Sequence, residues 1–144
     1  MRLLITTPTS VVVDQRDVVA VRAEDESGSF GILPGHADFL TALTVSVVSW
    51  HGAEPRGAQP PQQFCAVRRG VLSVSAGADV AIATRAAIVS DDLARLQHLI
   101  LAQFREDVEA ERTARAESLQ LQLQAIRQIV SYLRPERPGI FGAG

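Results

Sequence analysis

From residue 2 to about residue 88 the apolar positions fall in short runs of Val, Ile, Leu and Thr, broken by Gly, Pro and Asp at intervals of about 8–12 residues. LLITT, VVV, DVVAVRAE, LTVSVVSW, FCAVR, VLSVS and DVAIAT read as strands. In Val71–Ser75 the serines alternate with apolar residues, the period of a half-buried strand. Many short strands with regular turn signals predict an antiparallel β-sandwich or a barrel. The pattern changes at IVSDD, where Ser90 or Asp91 is suited to cap a helix and the acidic pair complements its dipole. From there to Arg134 there is neither Gly nor Pro. Leu93, Leu96, Ile100, Phe104 and Val108 form one stripe at helical spacing, and Leu119, Leu123, Ile126, Val130 and Leu133 form another.

The expected fold is therefore α+β: a β-sandwich or barrel over residues 1–88, then a helical domain over 89–144. Between the two stripes lies EAERTARAES, without a large apolar residue. It is either the bend of a two-helix hairpin or an exposed stretch of one extended helix longer than about 60 Å. Pro135 and Pro138 end the helix, and PGIFGAG is expected as a frayed tail. The longest loop, HGAEPRGAQPPQQ at 51–63, should project and be mobile.

Composition narrows the function. With 47% hydrophobic residues in 144 the chain can bury a core. A net charge of -2 and no basic block disfavour nucleic acid as a partner. No apolar run approaches the roughly 20 residues that span a bilayer, and MRLLITTPTS is too short in apolar character for a secretory signal. The single cysteine, Cys65, cannot form an internal disulfide and suits a reducing compartment, where a small buried role is expected of it. All 14 basic residues are Arg, so arginine carries less functional information here than usual.

GSFGILPGHADFLTAL, residues 28–43, poses the question of chemistry. Gly28 and Gly31 flank Phe30 and suit a tight turn or bulge, and Pro34-Gly35 is a strong turn signal. His36 follows, with Asp38 two residues on, yet no nucleophile elbow, phosphate loop or ligand spacing with His51 or His98 supports catalysis or a metal. His36 is expected to lock the turn or pack at a surface, and Trp50 to cap the core.

The same stretch resembles the signature of the epsilon subunit of F-type ATP synthase, a glycine-bearing Pro-Gly-His turn followed by a Leu-Thr-x-Leu strand. FCAVRRGVLSVSAGADVAIAT is similar to that family's later hairpin. HADF in place of His-Ala-Pro-Leu, Arg69 in place of a glycine and the extended 51–63 loop point to the alternate bacterial branch. The resemblance implies a non-catalytic rotor subunit, peripheral on the cytoplasmic face of the bacterial inner membrane and monomeric when isolated. Its sandwich would bind the gamma subunit and the polar loops of the c-ring. Its helices would reach the alpha/beta hexamer and restrain ATP hydrolysis. By motif position Ser29 would face the c-ring, and His36, Thr41 and Thr7 the gamma subunit. Asp92 and Arg95 keep the spacing of a nucleotide motif some members carry, but Asp91 and Leu96 depart from it, and no cofactor is expected. The competing function is a free-standing sandwich adapter whose helices form a coiled-coil dimer.

Overall fold

The computed structural model describes residues 1–53, 57 and 60–133. Residues 54–56, 58 and 59 of the expected projecting loop, and the expected tail from 134 on, lie outside the described residues. Two compact units divide the chain, Met1–Val108 and the segment from Glu109 onward.

In the first unit eight strands run in the order β1 (Arg2–Thr6), β2 (Val11–Gln15), β3 (Val18–Asp25), β4 (Gly28–Ile32), β5 (Phe39–Gly52), β6 (Gln63–Ser75), β7 (Asp79–Ala83) and β8 (Ala87–Ser90). Hydrogen bonding connects them as β2-β1-β7-β6-β5-β3-β4, with β8 on β6. All neighbours are antiparallel except β1 and β7, which are parallel. FCAVR and VLSVS, which read as separate strands, are one strand, β6. Gly28–Ile32, which reads as a turn, is a strand paired to β3. Gly28 has φ +119, but Gly31 does not adopt positive φ and lies inside the ladder opposite Arg22.

The long hairpin β5–β6 belongs to both layers. Its outer half pairs β6 with β7 through Val71–Ser75, and its inner half pairs β6 with β8 through Phe64–Val67. Core-facing positions are odd up to Leu43 in β5 and even from Val48, while in β6 they change from Cys65 and Val67 to Leu72 and Val74. The change of parity coincides with Arg69 at φ 59 and Gly70 at φ 143. A Cβ on Gly70 would lie 2.2 Å from the Ala83 carbonyl oxygen, so only glycine fits. The core between the layers holds Leu3, Ile5, Ile32, Val48, Trp50, Leu72 and Ile82. Trp50 is wholly within it rather than capping it, its indole N–H donating to Gln15 Oε1 at 2.9 Å.

Ser90 is not the helix cap. Its hydroxyl accepts the Asp92 amide at 3.0 Å, and Asp92 caps α1 (Leu93–Arg95) by accepting the Arg95 amide at 3.2 Å. A π turn, Leu96–Ile100, leads into α2, Leu101–Leu133. Leu96, Leu101 and Phe104 are buried against Val45, Val47, Phe64 and Ala66, so the inner half of β5–β6 is covered on both faces. Leu101 lies outside the sequence-read stripe.

The second unit is helical through Leu133. The hairpin alternative does not hold: α2 is a single helix that runs unbroken through EAERTARAES. That segment is built of strong helix formers, and Thr113 Oγ1 donates to the Glu109 carbonyl at 3.0 Å while Arg112 pairs with Glu109 at 3.2 Å. Leu119, Leu123, Ile126, Val130 and Leu133 are all more than half exposed.

Candidate functional site: an open sheet face and its bordering turns

Strand register assembles a surface that no single strand reveals. Thr6, Ala83, Val71 and Ala42 lie side by side across β1, β7, β6 and β5, and Leu4, Ala81, Ser73 and Leu40 form the next row. Cross-strand partners share a face, and none of these eight is buried. Leu40 is 71% exposed and Val71 48%. The rows carry no charge. The charged residues Arg2, Asp14 and Asp79 stand at one rim, where Arg2 Nε and Nη2 donate to the two Asp14 oxygens at 2.9 and 3.0 Å. The Asp14 carboxyl is thereby held below its ordinary range, chiefly by the hydrogen bond from Arg2.

Two of the four sequence-read interface residues border this face. Thr7 follows β1 at one end, closing the Thr7–Ser10 turn: its amide donates to the Ser10 carbonyl at 2.9 Å and its hydroxyl meets Ser10 Oγ at 3.0 Å. The His36 turn lies at the opposite end of β7. There the His36 amide donates to the Leu33 carbonyl at 3.1 Å, with Pro34 and Gly35 (φ +85) at the turn's centre, a type II turn. The Gly35 amide donates to the Gly77 carbonyl at 2.8 Å, which fastens this turn to the β6–β7 turn.

The lock is not the histidine side chain. Asp38 Oδ1 accepts the Ala76 amide at 3.0 Å, the second tie between the two turns. His36 Nδ1 lies 2.7 Å from the carbonyl oxygen of its neighbour Ala37, and its ring meets Phe39 edge-on at 5.8 Å. Asp38 is thus engaged structurally and turned to a backbone amide, which removes the pairing a His36–Asp38 base would need.

Ser29 and Thr41 belong to a different corner. Ser29 is exposed on β4 opposite Glu24. Thr41 donates its hydroxyl to Asp25 Oδ2 at 2.8 Å, so it points toward the β3–β4 hairpin while its neighbour Leu40 points to the open face. Asp25 also accepts the hydroxyl and the amide of Ser27. These bonds, the Ser27 hydroxyl foremost and then Thr41, hold its carboxyl below the usual carboxylate range. Phe30, beside Ser29, meets Phe39 edge-on at 5.6 Å, which links this corner to the His36 turn.

Residues the sequence did not single out are Leu40, Ala42, Val71 and Asp25. Leu40 and Val71 carry a signal, an apolar residue on the polar phase of a strand, but only the register shows that they adjoin. The spacing of three between Asp92 and Arg95 serves the helix cap, where Asp92 accepts the Arg95 amide. Burial pushes the Cys65 thiol up to about 12, in keeping with its place in the core. No group of His, Cys, Asp and Glu among the described residues is arranged to hold a metal.

Comparison with known proteins places this architecture. The profile of the family described as "ATP synthase, Delta/Epsilon chain, beta-sandwich domain" matches residues 1–90. The chain is 49% identical over 137 residues to the ATP synthase epsilon chain 2 of Paraburkholderia xenovorans, covering 95% of each. The chain belongs to the ATP synthase epsilon family. It is a subunit of that complex and not its catalytic chain. The epsilon chain 2 of Cereibacter sphaeroides is 39% identical over 133 residues, covering 92% of this chain and 88% of that one. Both relatives are chains designated 2, in line with the alternate branch suggested by HADF and Arg69. Among solved structures, a chain of the Euglena gracilis mitochondrial ATP synthase aligns with a TM-score of 0.53 at 20% identity, over 77% of this chain. The match spans 62% of that longer chain and concerns the fold.

Proposed function

We propose that this epsilon chain is a rotor subunit whose open sheet face docks on the gamma subunit and whose β3–β4 corner, with Ser29 exposed, meets the polar loops of the c-ring. The observation that carries the proposal is the uncharged double row across β1, β7, β6 and β5, bordered by Thr7 and the His36 turn. An uncharged face with exposed Leu40 and Val71 has the character of an interface core, and the Arg2–Asp14–Asp79 cluster that of its polar rim. Two backbone and side-chain ties make the His36 turn a stiff border rather than a mobile loop. The chain sits peripherally on the cytoplasmic face of the bacterial inner membrane in this proposal, and no described helix is long and apolar enough to cross it. No nucleotide or other cofactor is part of it. Asp92 serves as a helix cap, which supports that choice.

The restraint on ATP hydrolysis is assigned to the helical segment beyond Val108, with its exposed Leu and Ile side chains, reaching the alpha/beta hexamer. Truncation after Ser90 would strip Leu96, Leu101 and Phe104 from the sheet and confound the test. Truncation after Val108 keeps that packing, and it is expected to raise hydrolysis by the assembled complex. Unchanged hydrolysis would remove the restraint from the proposal.

The docking half is tested by mixing the purified chain with the gamma subunit of the same organism, then size exclusion with light scattering. A monomer that forms a one-to-one complex, lost in Leu40→Asp and Val71→Asp, is expected. A homodimer that ignores gamma would favour the adapter alternative, to which the exposed Leu119–Leu133 stripe lends itself.

A further inference from the structure

The helical stretch over the inner half of β5–β6 does not wind uniformly. The amide of Leu101 donates to the carbonyl of Leu96, five residues back instead of four. Single π turns of this kind are rare and recur at functional positions. Neither Gly nor Pro is present between Asp92 and Leu133 to impose one. The packing accounts for it. In an uninterrupted α-helix Leu96 and Leu101 would lie about 140° apart around the axis, yet both are buried on the same sheet face with Phe104. The extra residue brings Leu101 round to the sheet. With it comes Asp107, whose carboxylate lies 3.5 Å from Arg68 Nη1 of β6.

The same segment contains a second apolar stripe. Leu96, Ile100, Phe104 and Val108 are spaced by four, the set an uninterrupted α-helix would bring near one face. Two registers therefore overlap, and they differ by one residue at the π turn.

We propose that Leu96–Ile100 is a register switch. In the π register Leu101 and Phe104 dock on Val45, Val47, Phe64 and Ala66, and Asp107 pairs with Arg68. Closing the turn to α geometry rotates everything after Ile100 by about one residue's step, 100°. That rotation withdraws Leu101, Phe104 and Asp107 from their partners, while Leu96 and Ile100 keep the place they already hold against the sheet. The wider turn is less favourable than α on its own and persists while the sheet contacts offset it. Whatever competes for the inner β5–β6 face, or removes the Arg68–Asp107 pair, closes the turn. The switch is a property of this chain alone and stands whether or not gamma is its partner.

Scalar couplings across hydrogen bonds, measured by NMR on the full isotope-labelled chain, identify the carbonyl that accepts the Leu101 amide. In the wild type the coupling is expected to Leu96. In the double variant Leu101→Gln, Asp107→Asn it is expected to move to Gln97. A wild-type coupling to Gln97, a variant that keeps the Leu96 coupling, or a variant that unwinds over 96–101 would each overturn the switch. Deletion of exposed His98 supplies an independent arm. Removing the additional residue should give an unbroken α-helix that still docks Leu101 and Phe104, with amide-exchange protection over 101–108 at least equal to wild type. A loss of protection by about tenfold or more would show that winding and docking are not coupled, and would overturn the proposal.

Discussion

Asp38 accepts the amide hydrogen of Ala76 at 3.0 Å, and through this bond the Pro-Gly-His turn and the β6–β7 turn become one rigid end of the sandwich. Ala76 needs the help. It has φ +54, next to Gly77 at φ +62, the backbone of a type I′ turn in which a residue with Cβ is disfavoured. Asp38→Ala is expected to cost about 1–2 kcal/mol by loss of a charge-assisted bond to a backbone amide. His36→Ala is expected to cost less than about 0.5 kcal/mol, because its ring reaches the adjacent carbonyl and the edge of Phe39, and neither contact ties the two turns together. Urea unfolding of the two variants decides which residue holds the turn. A larger loss for His36→Ala would reverse the assignment.

The break in parity along β5–β6 sets opposite expectations for neighbouring residues. Gly70→Ala would drive a methyl group into the Ala83 carbonyl and is expected to destabilise by about 3 kcal/mol or more. Arg69, at φ 59, occupies a left-handed position that favours glycine. Arg69→Gly should therefore be neutral or stabilising by up to about 1 kcal/mol. Thermal unfolding of both reads the contrast, and equal losses would contradict it.

Asp25 gives a pH test. Its carboxyl is lowered by bonds from Ser27 and Thr41, so its contribution to stability is present above the unfolded carboxylate range and is lost as pH falls through the folded value. Thr41→Val removes one donor and should raise the Asp25 titration midpoint toward the ordinary range, read from side-chain carboxyl NMR shifts. No movement would show that Thr41 does not hold Asp25 in solution.

Cys65 gives the converse case. With its thiol raised to about 12, the folded state holds a proton that the unfolded state releases near 9. Stability from this group is full below pH 9 and declines as pH rises toward 12. At pH 8 the folded chain should be unreactive to a thiol reagent and become reactive on denaturation. Rapid labelling of the native chain would place Cys65 outside the core.

Truncation of the helical packing separates the two stripes. Leu101→Ala should cost about 2 kcal/mol or more, since it empties a buried contact with the sheet. Leu123→Ala, at a position 52% exposed, should cost less than about 0.5 kcal/mol. Chemical denaturation of the isolated chain compares them, and a dominant Leu123 effect would point to self-association of the helix.

The residues alone determined a half built of short strands and the helix after it. Period-two alternation and turn residues are local signals, and so is a run without Gly or Pro from Asp92 to Arg134. The type II turn at Pro34-Gly35 was legible for the same reason, since Pro and Gly restrict their own dihedrals. Gly28–Ile32 misled because glycines permit a turn without requiring one, and pairing with β3 drew them into the sheet. β8 was missed since its four residues merge with the approach to the helix. What only the tertiary structure decided is whatever depends on register between distant segments. The row Thr6, Ala83, Val71 and Ala42 gathers one residue from each of four strands. The choice of Asp38 over His36 as the lock depends on where Ala76 lies. The π turn arises because a sheet 30 or more residues away in sequence selects Leu101, which the helical period by itself would leave aside. Local periodicity specifies which elements form, and contacts across the fold select which of their faces is used.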